Sequence, residues 1–335
     1  MMKQPVCVIT HPIHKDGIAL LIAAGVDVRF AYDCDDKALG KALSSANAVI
    51  TRGSIKSNSI DCADNLEVIA NHGSGTDKID VRYAHTKGIA VVYTPNCNTL
   101  AVAEHTLLLM LALSHKLLCA DRAARKGEWD FKFTGITHSL YGKFLGIIGF
   151  GDIGRQVCKM AIGGFGMRVS VWSPHAVIAD IIAAGAIPAG SLTDLLGNAD
   201  VISLHRPLRP DTFHTIDSVA LRNMKSSALL INTSRGGLID EDALYQALQE
   251  NWIAAAGLDV FEHEPLLPRS RLSTLQNTLL TPHLAGSTQE ALRKTAICCA
   301  EQIVSVFREI EPQHLLNNEV WQSRRKIGHK LMLKE

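Results

Sequence analysis

The chain has 335 residues, 47% hydrophobic and 20% charged, with a formal net charge of +1. That length exceeds one ordinary core and predicts about two domains of roughly 100–200 residues. The even charge balance, with no long Lys/Arg block, argues against a nucleic-acid partner. The start MMKQPVCVITHP lacks the apolar core and small-residue cleavage site of a secretion signal. Eight cysteines without C-x-x-C spacing read as free thiols in a reducing cytoplasm. His11 and His14 have no Cys or carboxylate to complete a ligand set, so no metal is expected.

In chain order, the first strand candidates are PVCVIT (5–10), VDVRF (26–30), NAVIT (47–51), LEVIA (66–70) and IAVVY (89–93). A helical segment follows over 99–126, expected as one long helix carrying the chain from one domain to the next. Its apolar stretch at 100–113 contains Glu104 and His105 and is too short for a bilayer span, so it reads as a buried helix, with no membrane partner. A second strand series runs through FLGIIG from 144, MRVSVW (167–172), ADVISLH (199–205), ALLINTS (228–234), AAAGLDV (254–260) and NTLLTPH (277–283). Short β-branched runs alternating with helical stretches predict two doubly wound parallel sheets. After Pro282 the pattern QEALRKTAICCAEQIVSVF is helical again. Packed back on the first domain, it makes that domain discontinuous, 1–98 with 286–335, around an inserted domain at 99–285.

GFGDIG, residues 149–154, follows the strand KFLGII and precedes a helical pattern with Ile153, Val157, Met160 and Ala161 on one side. This strand–turn–helix context is what a dinucleotide fingerprint requires. Gly149 permits the tight turn, Gly151 lets the backbone approach a pyrophosphate, and Gly154 lets the helix pack close to the sheet. Asp152 and Ile153 open the helix, whose free N–H groups face the phosphates.

HGSGTDKID (72–80), NTLAVAEHT (98–106), NTSRGGLIDEDAL (232–244), GLDVFEHEPL (257–266) and TPHLAGST (281–288) occur in this order. Together they resemble the D-isomer-specific 2-hydroxyacid dehydrogenase family over about residues 5–320. The resemblance implies a Rossmann domain inserted in a discontinuous flavodoxin-like substrate domain. It also implies a homodimer held by the cofactor domains and an NAD(P)-dependent reduction of a small 2-oxoacid such as hydroxypyruvate or glyoxylate.

Residue chemistry makes the assignment intelligible. Arg235, at a Ser-Arg-Gly-Gly turn where two glycines allow close approach to a ligand, presents a planar fork suited to a carboxylate. A 2-oxoacid gaining a hydride at carbon also needs a proton at oxygen. His283 suits that role near neutral pH, and a carboxylate on its other ring nitrogen, Glu264 by the resemblance, would orient it. The resemblance further places Ser74 and Gly75 in the loop whose N–H groups hold the substrate carboxylate, with Arg52 nearby. It places Asp259 at the nicotinamide carboxamide, Thr233 at the same ring, Pro207 against adenine, and Glu104 and His105 in the helix beneath the cofactor.

The residue meeting the adenosine ribose lies about 20 residues past the glycines. There the sequence reads VWSPHA, with Ser173 in place of an acid and no carboxylate before Asp180. The missing acid permits NADP. His175 is nearby, and Arg206, next to the cofactor-binding candidate His205 at a later strand end, stands either to stack on adenine, to reach a 2′-phosphate or to point into solvent; the reading favours NADP over NAD. Two alternatives stand: a dinucleotide-sensing corepressor built on the same fold, and a phosphoglycerate dehydrogenase-like enzyme. The short tail EPQHLLNNEVWQSRRKIGHKLMLKE is expected to leave no room for an added regulatory domain. A formate dehydrogenase is disfavoured, because formate oxidation releases no hydroxyl proton and that branch places Gln where Glu264 stands.

Overall fold

Five β-branched runs pair in parallel: β1 (Val6–Ile9), β2 (Asp27–Phe30), β3 (Ala48–Thr51), β4 (Val68–Asn71) and β5 (Ala90–Val92), in spatial order β2-β1-β3-β4-β5. The computed structural model describes residues 4–32 and 34–328. The central strands are buried on both faces, as parallel sheets require. Cys7, Ile9, Ile50 and Val68 face one apolar layer, completed by Cys299, Ile303 and Phe307. Val8, Val49, Ile69 and Val91 face the other.

The second sheet is also parallel: β6 (Phe144–Ile148), β7 (Arg168–Trp172), β8 (Ile187–Pro188), β9 (Val201–Leu204), β10 (Leu229–Asn232), β11 (Ala255–Leu258) and β12 (Thr278–Leu280). Its order, β12-β11-β10-β9-β6-β7-β8, reverses between β6 and β9. That reversal is the switch point at which doubly wound sheets bind ligands outside the strands' carboxyl ends. Strand β8 was not anticipated, since two residues give no periodicity to read.

Two compact units result, residues to Asn98 with those from Ser287 onward, and Thr99–Gly286. The return helix Gln289–Phe307 begins at Thr288, whose hydroxyl caps the Ala291 N–H, and packs on helix Lys15–Ala23 of the first unit. The segment 99–126 is two helices, Thr99–Ser114 and Leu117–Lys126, bent by 56°, rather than the single helix expected. The break falls at Lys116, in left-handed backbone, where the chain turns from apolar to charged. The first helix buries ten of its sixteen residues and exposes only the Leu100, Glu104 and Leu108 edge, and each fully buried side chain such as Leu109 or Met110 contributes about 1.5–3 kcal/mol. The second helix buries only Ala123 and needs a different direction to keep its charges in water.

Candidate active site

In the second unit, the glycine loop joins β6 to helix Asp152–Phe165 at the switch point. Gly149 has φ +97°, and a Cβ there would strike the His205 carbonyl across the sheet. A Cβ on Gly154 would strike the Gly149 carbonyl. Both glycines are therefore explained by the turn and the helix–strand contact. Gly151 is not: its φ is −78°, and a Cβ would meet nothing within 4 Å. It is the helix N-cap with no side-chain cap bond, so the first helical N–H groups open onto the space beside it. A cradle that the protein itself does not fill, at a helix N-terminus and a switch point, fits a pyrophosphate.

Ser173 is half-buried directly after β7, and His175 is exposed. The Arg206 guanidinium lies 4.9 Å from the ring centroid of Trp172, Ser173's neighbour, and does not extend freely into solvent. His205 turns inward, 2.9 Å from the Ser203 hydroxyl, and burial drives its imidazole down to about 3, so it stays neutral. Of the two candidate residues at this strand end, only Arg206 carries a charge. Pro207 is exposed beside it.

The segments at the carboxyl ends of β10, β11 and β12 carry Arg235, Glu264 and His283 in turn. His283 Nδ1 lies 2.9 and 3.0 Å from the two Glu264 oxygens. An ionised Glu264 accepts the Nδ1 proton, which fixes the tautomer and leaves Nε2 for a reacting oxygen. The histidine side chain is 44% exposed against 20% for Glu264. The Arg235 turn packs on the loop leading to Glu264, because a Cβ on Gly236 would overlap the Phe261 and Glu262 backbone. The close approach read from the Ser-Arg-Gly-Gly sequence is thus satisfied at Gly236 by protein backbone rather than by a ligand.

Asp259 is fully buried, and its carboxylate accepts from Thr281 Oγ1 at 2.6 Å and from the Leu284 and Ala285 N–H groups at 2.9 Å. Its carbonyl accepts the His283 N–H at 2.8 Å. His105 Nε2 reaches Thr281 Oγ1 at 3.1 Å and stands 3.6 Å from Asp259. This network holds the loop in which His283 adopts the uncommon φ of +51°. The resemblance puts Asp259 at the nicotinamide and His105 in the helix beneath the cofactor, and neither role anticipates their joint hold on the His283 loop. Thr233 is buried, its hydroxyl 2.8 Å from that of Thr106, while Glu104 is exposed. A second pair, His214 Nε2 to Glu262 Oε1 at 2.8 Å, was also unforeseen. Glu262 further accepts the Glu241 N–H at 3.3 Å, a staple between loops that no local sequence pattern announces.

In the first unit, Arg52 and the Ser74–Gly75 loop follow the paired strands β3 and β4 at their carboxyl ends. The Asn71 amide donates to the Gly73 and Gly75 carbonyls at 2.8 and 3.0 Å, turning them away from the loop's outer face. Ser74 and Gly75 are exposed, and their N–H groups have no backbone acceptor among the described residues. Arg52 Nη2 donates to Ser287 Oγ at 3.2 Å. His72, beneath this loop, is driven down to about 4, first by burial and then by Arg52.

A model of the D-isomer specific 2-hydroxyacid dehydrogenase NAD binding domain matches residues 107–285. The chain is 40% identical over 313 residues to the D-3-phosphoglycerate dehydrogenase of Methanocaldococcus jannaschii, covering 92% of this chain but 59% of that relative's length. It is 36% identical over 330 residues to the glyoxylate reductase of Aeropyrum pernix, covering 95% of this chain and 98% of the relative. Among solved structures, an acyclic imino acid reductase in complex with NADPH and D-Arg superposes with a TM-score of 0.83 at 29% identity, covering 93% of this chain and 99% of that one.

Proposed function

The chain belongs to the D-isomer-specific 2-hydroxyacid dehydrogenase family, and on that premise we propose that it reduces a small 2-oxoacid, of the glyoxylate or hydroxypyruvate type, to the D-2-hydroxy acid. The observation carrying this reading is the His283–Glu264 pair, held at 2.9 Å on the unit that also carries the dinucleotide cradle. When bound, NAD(P)H supplies the hydride. His283 Nε2 gives its proton to the carbonyl oxygen, and Glu264 stabilises the ring while it is charged. Arg235 holds the substrate carboxylate, and the exposed Ser74 and Gly75 N–H groups, with Arg52, are the first unit's own candidate anion contacts. Asp259 acts through the loop as a positioning residue for His283.

A panel of glyoxylate, hydroxypyruvate, 3-phosphohydroxypyruvate and larger 2-oxoacids, assayed with NADH and NADPH, tests the reading. Turnover is expected with glyoxylate or hydroxypyruvate. Preference for the phosphorylated acid would favour the phosphoglycerate dehydrogenase reading that the methanogen relative suggests. Tight dinucleotide binding without turnover on any member would favour a sensor.

The cofactor preference follows from Ser173 and Arg206, which make NADPH the better donor in our reading. Ser173→Asp puts a carboxylate where a 2′-phosphate would stand, a like-charge arrangement costing several kcal/mol at an interface. The expected result is a fall in kcat/KM for NADPH of at least about 100-fold with NADH nearly unchanged. A parent protein that already prefers NADH, with a ratio that Ser173→Asp leaves alone, would contradict this.

The second unit is also the proposed dimer surface. Trp129, Phe133, Ile136 and Tyr141 are 73, 71, 68 and 80% exposed on one stretch of chain. Beside them, at the amino ends of the strands, a cavity of about 740 Å³ is lined by Leu113, Leu118, Phe131, Leu140 and Leu279. Ligands of doubly wound sheets bind at the opposite strand ends, so this apolar ground suits a second copy of the chain. Light scattering is expected to give twice the chain mass, and the Trp129→Asp, Phe133→Asp double variant the chain mass. A monomeric parent would refute the dimer.

A further inference from the structure

The unit formed by the two ends of the chain holds a thiol cluster that the proposed reaction does not use. Cys97, on the loop after β5, and Cys298, on the return helix, are half-buried free thiols placed close enough for each to shift the other's acidity. Lys294, Thr295 and Cys298 occupy positions i, i+1 and i+4 of that helix. Lys294 Nζ donates to the Asn96 carbonyl at 3.1 Å, and Asn96 takes left-handed backbone, φ +59°. Gln302 Nε2 adds a contact of 3.6 Å to Cys298 Sγ. The loop is thereby pinned with Cys97 against the helix.

The surroundings divide the labour between the two thiols. The neighbouring Cys298 thiol, with smaller help from Lys294 and Thr295, outweighs burial and Glu301 and brings Cys97 down to about 7. Cys298 is pushed up, first by Cys97 and then by burial. At neutral pH Cys97 is the nucleophile and Cys298 the protonated neighbour. Cys7 and Cys158, pushed up by burial to about 12 and about 11, are inert, and Cys299, fully buried, points its thiol at the Asn71 carbonyl, 3.6 Å away.

We propose that Cys97 and Cys298 form a peroxide-sensitive dithiol, a modification site at which the pair is oxidised to an intramolecular disulfide. The Cys97 thiolate attacks one peroxide oxygen and the O–O bond breaks. Hydroxide leaves and takes up a proton, and Cys97 becomes a sulfenic acid, its sulfur oxidised by two electrons while the peroxide is reduced. Cys298 then loses its proton and attacks the Cys97 sulfur. The S–O bond breaks, the S–S bond forms, and the hydroxyl leaves with that proton as water. In sum, two thiols and one hydrogen peroxide give one disulfide and two waters. Cys97 stands two residues before Thr99, where the chain leaves this unit, so the bond would tie the connecting segment to the return helix.

The test uses the reduced full-length protein, treated with one equivalent of hydrogen peroxide, blocked with N-ethylmaleimide and mapped by mass spectrometry without reduction. The expected result is the loss of two of the eight thiols and a peptide joining Cys97 to Cys298. Cys298→Ser should abolish the cross-link and leave a dimedone-reactive sulfenic acid on Cys97. Iodoacetamide at pH 7 should alkylate Cys97 at least about 10-fold faster than the exposed Cys34 and Cys62. A cross-link to Cys299, no cross-link in the parent protein, or alkylation of Cys34 as fast as Cys97 would each overturn the proposal. The parent mapping and the alkylation rates decide the matter even if the serine variant fails to fold.

Discussion

His283→Ala is expected to lower kcat for 2-oxoacid reduction by about 10²–10⁴-fold, with the dissociation constants of NADH and NADPH changed by less than about twofold. The carbonyl oxygen becomes an alkoxide unless a proton arrives with the hydride, and among the segments at the carboxyl ends of β10 to β12, His283 offers a ring nitrogen poised to give one. Its Nδ1 is committed to Glu264 at 2.9 Å and its loop is held by Asp259, so neither the tautomer nor the ring position has to be found during turnover. Because the side chain is 44% exposed, its removal leaves no large cavity, and Glu264 Oε1 still accepts the Phe261 N–H at 3.3 Å. Stopped-flow measurement of a single turnover separates the chemical step from product release. An alanine variant with unchanged kcat would move the proton donor elsewhere, and the nearby His214–Glu262 pair would be the next to test.

Gly151→Val is expected to weaken NADH and NADPH binding by at least about 100-fold while shifting Tm by no more than a few degrees. The logic rests on the contrast among three glycines. Substituting Gly149 strains left-handed backbone and strikes His205, and substituting Gly154 strikes Gly149, so loss of binding in either could merely report a damaged fold. Gly151 has an extended φ,ψ that valine tolerates and no neighbour for the new side chain to meet. The added carbons enter only the space in front of the helix N–H groups. Fluorescence titration of the dinucleotides together with a thermal melt makes the comparison. Intact binding in a folded Gly151→Val protein would place the pyrophosphate elsewhere.

Much of this was legible in the residues. Eleven of the strands were visible as short β-branched runs, and the limits of the return helix, Gln289–Phe307, coincide with the apolar pattern. Parallel strands buried on both faces carry that signal within themselves. The strand–turn–helix setting of the glycine motif was legible because its three parts are contiguous in sequence. What escaped depends on partners far apart in sequence. The break at Lys116 follows from which side of each helix meets the sheet, which composition alone does not state. Asp259 binds residues more than twenty positions away, so its hold on the His283 loop has no local signature. Gly236 shows the converse: a glycine pair read as room for a ligand is room for the Phe261 backbone.

The stereochemistry of the product bears on the central claim most directly. Hydroxypyruvate reduced by the purified protein with NADPH or NADH yields glycerate, whose hand records the face of the carbonyl that receives the hydride while the proton reaches oxygen. Glyoxylate cannot serve, because glycolate has no stereocentre. Chiral chromatography of that glycerate should show the D isomer alone, whereas L-glycerate would contradict the account.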